Sequence, residues 1–149
     1  MKFTLEPADN RELEIIIRGD VNDPQVAQVI AALTAAKVIS RLFLYRDETE
    51  YLCPVSDILY FETMHGKILA HTLHDTMESR YKLYELADML SGSGFVQISK
   101  GIVVNVHAVL SVAPEFSGNY TATLSDRKTR LTISRKYFKA FRQYVVKEL

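Results

Sequence analysis

From Tyr51 to Ile133 the chain is a succession of short β-branched and aromatic runs, each closed by turn residues after a few positions. Strands at such close spacing cannot be joined by crossover helices, so they must pair as an antiparallel β fold. The runs are Glu50–Pro54, Ile58–Met64, Lys67–Leu73, Thr76–Tyr81, Phe95–Ser99, Val109–Pro114, Asn119–Leu124 and Thr129–Ile133. Lys100–Asn105 is apolar between polar ends and fits either a strand or a helical turn. His65-Gly66 stands between two runs as a two-residue hairpin turn. Lys82–Leu90 has Leu83, Leu86, Ala87 and Leu90 on one helical face, and the glycines of Ser91–Gly94 end it. The last element is a helix from Arg135 or Lys136 to Leu149, with Phe138, Phe141, Tyr144 or Val145, and Leu149 as its apolar face.

The first 46 residues read differently. Leu13–Gly19 is β-branched and closed by glycine, which predicts a strand. Asp23-Pro24 is a helix N-cap followed by proline at the first helical position. Val26, Val29, Ile30, Leu33 and Ala36 or Lys37 then repeat at helical spacing to about Val38. Arg41–Arg46 follows as a strand. The expectation is a small strand–helix–strand extension over 1–46, ahead of a β domain over 47–149. Its helix is read as covering the open face of its own sheet, with dimerisation or partner binding as the other use of this acidic segment.

Eighteen basic and eighteen acidic residues cancel over the 149-residue chain, but they are not evenly spread. Residues 1–62 carry six Lys/Arg and eleven Asp/Glu; residues 63–149 carry twelve and seven. A phosphate backbone meets the local field of a protein, not its net charge. The basic end therefore keeps nucleic acid open as a partner, against the plainer reading of a solvated basic helix. Cys53 is the lone cysteine, which excludes an internal disulfide and a Cys-based zinc site. No apolar run reaches the length of a signal peptide or a membrane span, so a cytoplasmic location is expected.

The search for catalysis is nearly empty. His71 and His74 point to opposite faces if extended, and no third ligand stands at metal spacing. Ser91–Gly94 follows a helix and precedes a strand, the reverse of a phosphate-cradling order. Glu62 and Asp57 define no acid–base pair with a pocket. No enzyme, metal, cofactor or small-molecule substrate is expected. Polar and basic groups at turns do stand out: Lys67 after His65-Gly66, Lys100 before an apolar run, and Ser134-Arg135-Lys136 where the last strand becomes the last helix. Such side chains can reach base edges while a sheet holds them rigid, and Ser134 could cap the last helix.

Four segments together, Ile58–Glu62, Leu83–Leu90, Phe95–Asn105 and Ile133–Tyr137 with Phe141, closely resemble a LytTR-type DNA-binding domain. The resemblance covers about residues 45–149. It implies an α+β, predominantly antiparallel fold of about ten short strands with few helices, and a sequence-specific transcriptional regulator. Loops would enter successive major grooves of double-stranded DNA at paired direct repeats, so a homodimer at least on DNA is expected. Carried over, the base contacts fall on Lys67, Lys100 and Arg135. His65, Gly66, Asn105, Ser134, Lys136 and Lys139 fall to backbone contact or loop support, Asn105 by bracing its loop. Many relatives carry a receiver domain, for which 46 residues are too few. The chain resembles stand-alone regulators, some of which are held in check by a small membrane protein, and such an inhibitory partner is a candidate here. The alternative is a protein-interaction module that has kept the fold and lost DNA binding.

Overall fold

The structure, a computed structural model, describes residues 1–9, 14–35 and 39–148. It divides into two compact units, Met1–Ala36 and Lys37–Leu149. In the first unit, helix α1 spans Pro24–Ala35. Asp23 starts it: its carboxylate accepts the Gln25 N–H at 2.9 Å, as an N-cap should. The helix segment expected at 36–38 lies outside the described residues, as does Leu13. Residues 14–18 are not a strand, contrary to expectation, and Ile15 and Ile16 are exposed. A β-branched run supplies propensity, but a strand also needs a neighbour to bond, and no strand pairs with this run among the described residues.

Among its described residues the second unit holds ten strands: β1 (Arg41–Arg46), β2 (Thr49–Pro54), β3 (Ile58–Met64), β4 (Lys67–Thr72), β5 (Thr76–Ser79), β6 (Phe95–Ser99), β7 (Ile102–Asn105), β8 (Val109–Pro114), β9 (Tyr120–Leu124) and β10 (Arg130–Ile133). Helix α2 (Leu83–Met89) precedes β6 and helix α3 (Arg135–Glu148) ends the fold. Every pairing is antiparallel. Seven strands form one sheet in the order β2-β1-β5-β4-β3-β7-β6, and three form a second, β10-β9-β8. The open choice at 100–105 resolves as a strand from Ile102. β1 lies between β2 and β5, so Arg41–Arg46 belongs to the large sheet.

The large sheet buries residues on both faces. On one face Leu44, Phe61, Val103 and Phe95 pack with Leu86 of α2 and with Leu90, which follows it. On the other, Leu59, Val104 and Ile98 meet Ala122, Leu124 and Ile133 of the small sheet and Phe141 of α3. Strict alternation would send Leu59 and Phe61 to the same side. A register shift between Ile58 and Tyr60 breaks the alternation, so Ile58 and Phe61 face the first core while Leu59 and Tyr60 face the second. Such a bulge re-aims side chains without ending a strand.

Asn105, 4% exposed, holds the end of β7. Its Nδ2 donates to the Ile58 carbonyl at 3.0 Å, and its Oδ1 accepts the His107 N–H at 3.0 Å. Removing the amide strands two backbone groups at a buried site. Asn105→Ala should therefore cost about 2–3 kcal/mol, read as a lowered denaturation midpoint with an unchanged slope.

Candidate nucleic-acid interface

The three sequence-predicted turns form from local chemistry. His65 and Gly66 have φ of 51° and 77°. Two successive positive φ angles make the type I′ turn whose twist matches a hairpin, here joining β3 to β4. Between β6 and β7, the Gln97 amide donates to the Ser99 carbonyl at 2.9 Å and to the Lys100 carbonyl at 3.5 Å. The Ser99 hydroxyl accepts the Gly101 N–H at 3.4 Å. The third turn carries β10 into α3 at Ser134-Arg135.

Tertiary pairing brings these turns to one end of the unit. β3 and β7 are antiparallel with Glu62 opposite Ile102, so the end of β3 and the start of β7 coincide. The Thr63 N–H donates to the Gly101 carbonyl at 2.9 Å, joining the first turn to the second. The Ser134 N–H donates to the Ile98 carbonyl at 2.9 Å, joining the third to the strand that leads into the second.

Their side chains differ in freedom. Lys67 Nζ lies 3.3 Å from Glu78 Oε1, with the lysine 64% exposed. The Tyr45 hydroxyl, hydrogen-bonded to Glu78, holds that carboxyl below the usual range; desolvation opposes this and Lys67 reinforces it. Lys67 thus reaches solvent already paired. Lys100 and Arg135 are exposed, and neither is in an ion pair among the described residues. Lys136 and Lys139 are exposed one helical turn apart on α3, a spacing that puts them on one face. His65 and Gly66 are exposed at the tip of the first turn. Asn105 lies at the opposite end of β7 from Lys100, where it braces the turn at 106–108.

Ser134 does not cap α3 with its side chain. Its carbonyl accepts the Tyr137 N–H at 2.8 Å, while the Arg135 N–H goes to Asn119 Oδ1 at 3.0 Å. The cap comes from the turn between β8 and β9, which reaches α3 because Tyr120 pairs with Ile133. Sequence reasoning missed Asn119 and Gln97 as supports. An asparagine beside a turn glycine was the sole signal for the first, and it could not name a partner 16 residues away.

The other polar candidates resolve into structure. His71 sits between Glu62 Oε1 at 2.7 Å and Thr76 Oγ1 at 3.1 Å, stacked on Tyr60. No cluster of three or more potential metal ligands occurs among the described residues. No helix among them is long and apolar enough to cross a membrane.

Known proteins match the same region. A family model described as the LytTr DNA-binding domain matches residues 48–145. The chain is 24% identical over 119 residues to the transcriptional regulatory protein YpdB of Escherichia coli O6:H1, covering 80% of this chain and 49% of that protein. It is 25% identical over 136 residues to an uncharacterized HTH-type transcriptional regulator of Staphylococcus aureus, covering 91% of each. The chain thus spans about half the length of the first relative and nearly all of the second. Among solved structures, the LytTr DNA-binding domain of a putative methyl-accepting/DNA response regulator from Bacillus cereus superposes with a TM-score of 0.67 at 20% identity, over 72% of this chain and 97% of that one. This likeness establishes the shared fold.

The cap assignment is testable by truncation. Asn119→Ala should lower stability by about 1 kcal/mol, the usual worth of an N-cap side chain, whereas Ser134→Ala should leave the denaturation midpoint nearly unchanged.

Proposed function

The chain belongs to the LytTr DNA-binding domain family, and on that premise we propose that it regulates transcription by reading specific sequences of double-stranded DNA with the turns at one end of its large sheet. The observation that carries this reading is the pair of 2.9 Å backbone hydrogen bonds, Thr63 to Gly101 and Ser134 to Ile98. They tie three separate basic turns into one rigid row. Base readout needs side chains held in fixed relation to one another, because an edge contact is lost when its donor wanders.

Arg135 and Lys100 present exposed cations on that row, suited to guanine O6 and N7. Arg135 leaves the N-terminus of α3, where the remaining helix N–H groups favour an adjacent phosphate. Lys136 and Lys139 suit phosphate contact, which positions the protein without specifying sequence. Lys67 contributes less than the other two, since it must first leave Glu78. Loops of this kind enter successive major grooves, and two copies occupy paired direct repeats. The basic C-terminal stretch supplies the field: residues 127–149 hold eight Lys/Arg against Glu148 alone.

Selection of bound sequences from random DNA with the purified chain tests the reading directly, and recovery of no enriched site would overturn it. On the selected site Arg135→Ala should cost about 1–3 kcal/mol and relax preference at one base pair; unchanged affinity and selectivity would remove Arg135 from base readout. Lys136→Ala should weaken all sequences alike and reduce the salt slope by about one. Loss that depends on sequence would move Lys136 to base readout instead.

A further inference from the structure

A fourth turn stands at the same end of the second unit. It runs from Glu115 to Asn119 between β8 and β9, and the pairing of Tyr120 with Ile133 sets it beside the start of α3. Its backbone is fixed from several sides. The Gly118 N–H donates to the Glu115 carbonyl at 3.1 Å and the Glu115 N–H to the Asn119 carbonyl at 2.9 Å. The Glu115 carboxylate accepts from the Ser117 hydroxyl at 3.1 Å and from Thr121. The turn also supports Arg135. Asn119 receives the Arg135 N–H, and the arginine side chain lies along Gly118, where a Cβ would come within 3.4 Å of its Cδ and Nη1. Gly118 has φ +89°, so a side chain there would be strained as well as crowded.

At the tip of this turn stands Phe116. It is 114% exposed, so the ring stands clear of the described residues, in contrast to the rings of Phe61, Phe95 and Phe141 in the cores. A single exposed aromatic is ordinary. This one is held by a rigid turn that also seats the arginine assigned to base readout. An apolar ring gains by leaving water only where it meets an apolar surface. Among the base edges of the major groove, the apolar group on offer is the 5-methyl of thymine.

Resting on the DNA-reading role proposed above, we infer that Phe116 is a further specificity-determining residue: its ring packs against a thymine 5-methyl in the major groove beside the base pair read by Arg135. The turn between β8 and β9 is thus a fourth reading element, selective through shape and apolar contact where the other three use cations.

The test compares the full wild-type chain with Phe116→Ala and Arg135→Ala on the selected site. A series of duplexes replaces thymine by deoxyuridine, one position at a time, to remove single methyl groups. Wild type should lose about tenfold in affinity at one such position next to the Arg135 base pair, the low end of the cost of one mismatched pair. Phe116→Ala should lose a similar factor on the thymine duplex and be indifferent to deoxyuridine there. Phe116→Ala binding like wild type overturns the inference. So does a loss that is the same with thymine and deoxyuridine at every position, which would mark a sugar contact. A selected site with no thymine in either strand beside that base pair overturns it too, as does a loss seen on paired repeats but absent on a single half-site, which would mark a contact between copies. If Phe116→Ala is neutral while Arg135→Ala relaxes selectivity, this inference alone falls. If wild type enriches no sequence, both readings fall.

Discussion

The pairing of β3 with β7 is the constraint on which the rest of the β unit depends. With Glu62 opposite Ile102 and Phe61 opposite Val103, the large apolar residues of both strands fall on matching faces. A slip of one residue would carry Phe61 from the first core toward the second and send Tyr60 the other way. The same register brings the His65-Gly66 turn and the Lys100-Gly101 turn to one edge, where the Thr63–Gly101 hydrogen bond joins them. Core packing and turn placement are therefore one decision made by one ladder. The second sheet and α3 attach to the face that this register leaves apolar.

Electrostatics sorts the turns that the register collects. A chain with equal numbers of acids and bases would give DNA little general attraction, yet the acids concentrate in the first 62 residues. Within the basic part, ion pairing is unequal. Lys67 spends part of its charge on Glu78, whereas the Arg135 side chain lies along Gly118 and is in no ion pair among the described residues. A guanidinium seated without a carboxylate keeps its full charge for an incoming acceptor. The difference in pairing sets Lys67 apart from Lys100 and Arg135, a distinction that charge counting alone would not give.

The strands were legible because their information is local. Ile58–Met64, Phe95–Ser99 and Val109–Pro114 are bounded by turn residues on both sides, and the structure places them at those limits. The His65-Gly66 turn was legible for the same reason: the two residues must adopt positive φ. What the sequence could not disclose was non-local. Leu13–Gly19 carries the composition of a strand, but pairing depends on a partner that composition does not name. Arg41–Arg46 joins the large sheet through Tyr45 opposite Glu78, a partner far along the chain. Ser134 looks like the cap of α3, and Asn119 does that work because the β9–β10 pairing delivers it there. The basic residues of the site were visible individually; their gathering into one row follows from two backbone hydrogen bonds between segments distant in sequence.

The bulge near Ile58 carries a consequence for how the domain comes apart. It lets adjacent residues of a single strand serve both cores, with Ile58 and Phe61 on one side and Leu59 and Tyr60 on the other. Neither core can open without baring one side of the strand that anchors its counterpart. The two layers therefore melt together as one cooperative unit rather than as separate foldons. Amide protons along β3 should be among the last to exchange.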